Sequence, residues 1–249
     1  PWVKHEDFKK FNAVLRYSQQ SESTRFTLTA MGYGGRWNST DQIPLRGVAS
    51  GYVPRLGAID PSDGGESHRF SLSGALQHAS RFGITQLNLY TLHTNLALFS
   101  NFTYFLDDPV NGDQFSQVDK RFQSAMNLSH LWVNRIGGLE VENTAGIQFQ
   151  NDVIDNGLLS TKQRQTLSTT RKDHINQNSI GLYYQNSIQW LEKFRSVAGV
   201  RSDYYWFDVS SHQAVNSGKR YDSITNPKIS LIFGPWAQTE FYFNYGGGF

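Results

Sequence analysis

The 249-residue sequence contains no cysteine. Disulfides and thiolate metal sites are therefore excluded, although the compartment is not decided by that absence. No run of about 18 apolar residues occurs, which excludes a membrane-spanning helix. Mean hydropathy is −0.49 and hydrophobic content 38%, low for a compact soluble domain. A formal net charge of +2 gives no reason to expect nucleic acid. There is no phosphate-binding loop, nucleophile elbow, GxGxxG or HExxH, and no internal repeat or low-complexity tract. No catalytic residue, cofactor or metal site is expected. The chain opens on Pro1-Trp2 and closes on "NYGGGF", inside a strand pattern, and reads as an internal part of a longer protein.

What is present is alternation. In "SIGLYYQNSIQW" (Ser179–Trp190), one set of alternate residues is mostly apolar and the other small or polar. Ten such segments are expected as strands: 8–19, 24–37, 67–79, 84–105, 119–133, 139–150, 178–190, 194–208, 223–233 and 238–246. The period of the fourth fails near Asn95, which predicts a bulge there. Short turns fall at Gln20–Ser23, Ser80–Gly83, Asn134–Gly138, Leu191–Lys193 and Gly234–Gln238. Long irregular stretches, rich in Asp, Asn, Gly, Ser and Pro, fall at 38–67, 106–118, 151–178 and 209–222.

Short and long connections alternate. An antiparallel up-and-down meander with all short turns at one end has the form of a transmembrane β-barrel, whose mean hydropathy looks soluble. Crossing the hydrocarbon takes about 9–11 strand residues, which Ser179–Trp190 satisfies. The fold class is accordingly all-β: a partial antiparallel up-and-down transmembrane barrel, about ten strands of a larger one, with 1–249 as a single unit.

Hairpin registers follow from the turns. Ile188 should face Ser196, Tyr184 Val200, Ile180 Tyr204, Gln189 Arg195, Tyr183 Arg201 and Gly181 Asp203. Leu231 should face Phe241, Ile229 Phe243 and Lys228 Asn244. Trp132 should face Leu139, Met126 Ala145, Leu131 Glu140 and Ser129 Glu142. Polar and charged groups then collect on one side, the expected lumen, which receives Arg16, Glu140, Glu142, Arg201, Asp203, Lys228 and Glu240. Trp132, Trp190, Phe194, Phe233 and Trp236 near the short turns, with Tyr33, Tyr104, Tyr204 and Trp206 toward the long loops, are placed as aromatic girdles.

Several segments resemble the barrel of TonB-dependent outer-membrane receptors. The most specific are "DQIPLRGVASGYVPRLGAIDPSDGG" (Asp41–Gly65) and "NLALFSNFTYFLDDPVNGDQF" (Asn95–Phe115). "VAGVRSDYYWFDV", "NPKISL" and the closing "NYGGGF" are weaker. Ser202 departs from the Tyr that often follows the arginine in such strands. The resemblance spans essentially the whole chain and covers the middle of a barrel of about 22 strands. It holds neither the plug, nor the TonB box, nor the last strands of that family.

The resemblance implies a non-enzymatic receptor of the bacterial outer membrane. Such receptors import a scarce nutrient, most often a ferric siderophore, with energy from the TonB complex engaged through the plug and TonB box. Outer-membrane lipid is the other partner implied. Two rivals stay open on the residues: a passive porin-like channel, and a secreted soluble β protein binding glycans through its aromatics.

Arg46, Tyr52, Arg55 and Asp60 in the 38–67 stretch, with Arg201 on the lumen wall, are the candidate ligand-binding residues. Arginine presents a planar fork to carboxylates and catecholates, and tyrosine a stacking face. The competing expectation is that they knit the loop to its neighbours or to the plug. "DDPVNGDQ" (Asp107–Gln114) offers oxygen ligands, but without EF-hand spacing, and reads as an Asx-type turn. His5, His68, His78, His93, His130, His174 and His212 are scattered and read as loop or wall polarity. "NST" and "NFT" match a glycosylation sequon that carries no meaning in a bacterial outer membrane. "GYGG" and "GGG" read as bulges or close backbone approaches.

Overall fold

A computed structural model describes residues 6–248. Ten strands run in chain order: β1 Lys9–Gln20, β2 Thr24–Asn38, β3 Gly64–Ser80, β4 Gly83–Ser100, β5 Phe115–Ile136, β6 Leu139–Lys162, β7 Gln165–Leu191, β8 Phe194–Ser211, β9 Gly218–Trp236 and β10 Thr239–Gly246. Each pairs antiparallel with the next in one sheet of order β1 to β10. A short helix α1, Leu45–Ala49, sits between β2 and β3, and a 3-10 turn, Ala214–Asn216, between β8 and β9. All ten expected strands are present.

The two faces of the sheet differ as sharply as the alternation requires. One hydrogen-bonded row reads Phe26, Leu76, Leu87, Leu128, Ile147 and Leu182 across β2 to β7. The next row, one residue along each strand, reads Thr27, Ala75, Asn88, Asn127, Gln148, Gly181 and Asp203. Successive side chains point to opposite faces, so these rows lie on opposite sides of one wall.

No second layer covers the apolar side. Leu15, Leu72, Leu89, Leu182, Tyr204 and Phe241 all stand exposed. Among the described residues only Val53, Val141, Ile154 and Ile232 are buried hydrophobics. A soluble domain of this length buries a continuous core, so the reading as a soluble two-faced β protein does not fit this fold.

The β7–β8 register is as expected at all six pairs, from Ile188–Ser196 to Gly181–Asp203. In the β9–β10 hairpin Leu231 faces Phe243 rather than Phe241: the turn closes tightly on Ala237–Gln238, both at positive φ, which moves the register three places, and an irregularity between Thr239 and Phe241 returns one. In the β5–β6 hairpin Trp132 faces Asn143 and Met126 faces Phe149, four places from expectation. There the turn closes tightly on Gly137–Gly138, both at positive φ (59° and 83°), rather than on five residues. Both corrections are even-numbered, so every side chain keeps its face.

The alternation of connection lengths is also corrected. Residues 151–178 are not a loop: β6 and β7 run 24 and 27 residues and meet in a tight turn at Gln163–Arg164. β7 is about 90 Å of chain at ~3.3 Å per residue, well over twice what a bilayer crossing needs. Above the hydrocarbon both faces meet water, so pairing persists while apolar alternation lapses. The 209–222 stretch shrinks in the same way to residues 212–217 between β8 and β9. The bulge expected near Asn95 is absent, since β4 keeps unbroken register with β3 and β5. The sheet's irregularities fall instead near Leu158, Ser160, Gln189 and Thr239.

Candidate functional site: the loop knot and the inner wall

Above the sheet, the β2–β3 and β4–β5 loops are tied to the β6–β7 tip. Asp60 accepts hydrogen bonds from Ser62 N (3.0 Å), Ser62 Oγ (2.5 Å), Asn101 Nδ2 (2.9 Å) and Gln114 Nε2 (3.2 Å). Asn101 N donates to Asp41 Oδ2 at 2.7 Å. The Gln114 amide also donates to Ser62 Oγ (2.7 Å) and Asp63 Oδ1 (3.1 Å). Its oxygen accepts from Thr161 Oγ1 (3.0 Å) and Arg164 N (2.9 Å). Gln114 is only 2% exposed, and its whole hydrogen-bonding capacity goes to joining the three segments.

Arg164 closes the knot from the hairpin tip. Its Nε donates to Ser62 O (2.7 Å), and its Nη2 to Asn38 Oδ1 (2.8 Å), Asp63 O (3.2 Å) and Trp37 O (3.3 Å). The guanidinium also lies 5.3 Å from the centre of the Phe99 ring. Gln163 and Arg164 have φ of 52° and 66°. Two consecutive positive values make the type I′ hairpin turn that Asn-Gly usually serves. Non-glycine residues at such angles cost about 1 kcal/mol or more each, and persist where surrounding contacts over-determine them. The bonds of Arg164 and Gln114 are such contacts.

Asp63 lies at the centre, 1% exposed. Burial, then the charge of Asp60 and that of Asp41, push its carboxyl up to about 8 against the lowering effect of Gln114. Asp108 and Asp113, in the stretch with oxygen ligands, are filled by local donors. Asp113 accepts from the backbone N–H groups of Leu106, Asp107 and Asp108, and Asp108 from those of Val110 and Asn111. Bonds from the Asn111 backbone and side chain hold the Asp108 carboxyl below its ordinary value. This is the Asx-type turn the sequence indicates.

The inner wall carries braces at period two. Arg201 grips Asp203 through Nε (2.8 Å to Oδ2) and Nη2 (2.6 Å to Oδ1). Arg171–Asp173 and Gln150–Asp152 repeat the arrangement on β7 and β6. Asp152, Asp173 and Asp203 are each at most 4% exposed, and a carboxylate so enclosed requires such a partner. Side chains two apart on a strand share a face, so "RSD", "RKD" and "QND" are legible as braces once the strand is known.

Glycines make room for these side chains. A Cβ on Gly146 would stand 2.3 Å from the Tyr183 ring, and one on Gly181 2.4 Å from Arg201. Asn88, Tyr90, Asn127, Gln148, Gln150, Ser179, Arg201 and Tyr205 line a concavity of about 430 Å³ on this face. In "GYGG", Gly34 and Gly35 adjoin His68 and the Tyr33 hydroxyl without any bulge.

The sequence-derived candidates do not converge. Arg46 lies on α1 and is exposed, as are Tyr52 (75%) and Arg55 on the following turn. Asp60 is inside the knot, and Arg201 is on the wall, braced to Asp203. Of the expected lumen charges, Arg201 and Asp203 pair with each other, while Arg16 donates to Ser18 and Glu240 accepts from Tyr242. Gln114 and Arg164 carry most of the knot and were not among the candidates, because no local pattern marks a residue whose partners lie 47 to 127 positions away.

At the short-turn end Phe194 stacks on Phe233 at 4.8 Å, Trp236 meets Phe241 at 6.1 Å and Trp132 meets Tyr184 at 6.3 Å. These support the girdle there. Tyr33 pairs with Arg69 on the inner face, and Tyr104 is in the β4–β5 loop bonded to Gln42 O, so neither belongs to the outer girdle. His5 lies outside the described residues. The other histidines are dispersed: His78, His130 and His174 bond Thr24, Thr85 and Asp155 respectively. Among the described residues no group of three or more His, Asp or Glu is arranged to hold a metal ion.

An apolar outside, a braced polar inside, strands in chain order and loops knotted at one end define the wall of a membrane β-barrel. Residues 5–249 match the family described as TonB dependent receptor-like, beta-barrel, and the chain belongs to that family. Solved structures share its fold. FecA, a ferric citrate transporter in its unliganded form, is 12% identical with a TM-score of 0.76, over 98% of this chain and 36% of that one. BauA, the ferric preacinetobactin receptor from Acinetobacter baumannii, is 11% identical at 0.71, over 98% and 40%. The copper transporter OprC is 12% identical at 0.67, over 96% and 37%. The chain thus spans well under half the length of these relatives. No curated protein sequence matches it.

Proposed function

We propose that the chain is a continuous stretch of the barrel domain of an outer-membrane receptor. In this reading the receptor takes up a scarce nutrient, a ferric siderophore, with energy delivered by TonB, and performs no bond chemistry on its cargo. The observation that carries the reading is the wall itself: uncovered leucine and phenylalanine rows outside, buried and braced carboxylates inside. Such a wall is stable only with oil on one side and a wet, filled interior on the other. Family membership supports the TonB coupling. The ferric cargo of FecA and BauA supports the substrate class.

Arg46, Tyr52 and Arg55 are the proposed cargo contacts. They stand exposed on α1 and the turn after it, in the β2–β3 loop, which leaves their side chains open to an anionic chelate. Asp60 and Arg201 are already engaged and act as braces for the loop and the wall.

The test uses the full-length receptor. Deleting its gene should abolish growth on one ferric chelate as sole iron source, and restoring it should rescue growth only in cells with a working TonB complex. Alanine at Arg46, Tyr52 and Arg55 together should weaken chelate binding at least tenfold without changing heat-modifiable gel migration. Uptake that survives loss of TonB would overturn the reading in favour of a passive channel.

A further inference from the structure

We propose that His68, His93, Asn95 and Lys120 form a binding site for the phosphate of a membrane lipid, on the outer face of the wall toward its long-loop end. The inference rests on that face meeting lipid and not on the identity of the cargo.

The register brings the four side chains together. His68 on β3, Asn95 on β4 and Lys120 on β5 share one cross-strand row, and His93 lies two residues before Asn95 on β4. Each stands an even number of places along its strand from Leu76, Leu87 or Leu128, so all four share the outer apolar face. With strands ~4.8 Å apart and ~6.7 Å between same-face neighbours, the four backbone positions fall within about 10 Å of one another. The apolar period lapses near Asn95 because His93 and Asn95 face outward on an unbroken strand.

The surroundings follow the order of groups along a lipid. Phe70 and Phe122 flank His93 in its row, 53% and 48% exposed, and Leu72, Leu89 and Met126 continue the face toward the short turns. Acyl chains meet these residues, and the next row toward the loops meets the headgroup. A phosphate takes several donors at once. The Lys120 ammonium supplies charge, and the two imidazoles and the Asn95 amide supply N–H groups.

These donors are free. Among the described residues, none of the four side chains is held by a hydrogen bond or ion pair. Lys120 stands opposite Asp155, but that carboxylate is bonded to His174 Nδ1 at 2.8 Å. Glu66, two places from His68, stands opposite Arg36, and Asp119 bonds Arg121 on the inner face. The outward histidines at the short-turn end are engaged, His78 with Thr24 at 2.8 Å and His130 with Thr85 at 2.9 Å. Open donors beside a cation are therefore a feature of this one patch and not of every histidine on the face.

The test titrates the full-length receptor in detergent micelles with dioleoyl phosphatidic acid and, separately, with dioleoylglycerol, which has the same chains and no phosphate. Bound lipid is counted by native mass spectrometry. The receptor should prefer the phosphate-bearing lipid by roughly tenfold or more, as a charge-assisted hydrogen bond provides. Lys120→Gln/His93→Gln should bring the preference below about threefold, with heat-modifiable gel migration unchanged. Lys219→Gln removes another exposed cation of the outer face, one already held by Asp208, and should keep the preference. Equal binding of the two lipids by the wild type, a comparison that needs no variant, would overturn the site while leaving the face in lipid. A preference that survives in the double variant, or falls equally in Lys219→Gln, would overturn it as well.

Discussion

Leu182 closes the outer apolar row on β7, 50% exposed, with Ile147 beside it on β6 and Ser202 on β8. Gln150 lies on the inner face of the same wall. If the outer row meets acyl chains, Leu182→Arg places a guanidinium near the bilayer midplane at a cost of about 2–4 kcal/mol. At ~1.4 kcal/mol per decade this shifts the folding equilibrium by roughly 30- to 1,000-fold. Gln150→Arg keeps a donor for the buried Asp152 carboxylate, as Arg171 and Arg201 serve Asp173 and Asp203, and should cost less than ~0.5 kcal/mol. The experiment compares both variants of the full-length receptor, folded in lipid vesicles, by urea titration with tryptophan fluorescence and gel migration before heating. An exposed leucine on a water-soluble sheet would also tolerate arginine within ~0.5 kcal/mol. Equal stabilities of the two variants would therefore refute the assignment of the outer face to lipid.

The knot makes its own predictions. Arg164→Ala removes four hydrogen bonds and should speed hydrogen exchange across residues 39–63 by roughly 5- to 100-fold, equivalent to about 1–3 kcal/mol of local opening, while the denaturation midpoint of the barrel stays put. Gln163→Gly relieves the positive φ of 52° and should raise local stability of the hairpin tip by about 0.5–1 kcal/mol, read as slower exchange at Thr161–Thr166. Gly146→Ala drives a methyl toward the Tyr183 ring and should cost about 1–3 kcal/mol, with Gly146→Ala/Tyr183→Ala recovering part of the loss in a denaturation series.

Much of the fold was legible because alternation is a local signal. Ile180, Leu182 and Tyr184 against Gly181 and Tyr183 fix which side of β7 is which, whatever the partner strand. What the pattern cannot fix is an even-numbered slip. The two-place error at Leu231 and the four-place error at Trp132 leave every face unchanged, and only the turn geometry, Gly137–Gly138 in the second case, decides between them. The candidate site was less legible. Arg46, Tyr52 and Arg55 could be named from their chemistry, but the residues that shape the loops, Gln114 and Arg164, look like ordinary polar residues in the sequence.

By itself, then, the order of amino acids determined a single-walled sheet of ten antiparallel strands with an oily and a wet side. Burial energy is set residue by residue, and the period of two records it directly. Tertiary structure alone decided that residues 151–178 form a projecting hairpin rather than a loop, because in water both faces of a strand are free to be polar. It alone also decided that Gln163–Arg164 makes the turn. Nothing local favours two non-glycine residues at positive φ, and the bonds that hold them come from Trp37, Asn38, Ser62, Asp63 and Gln114, brought there only when the wall is built.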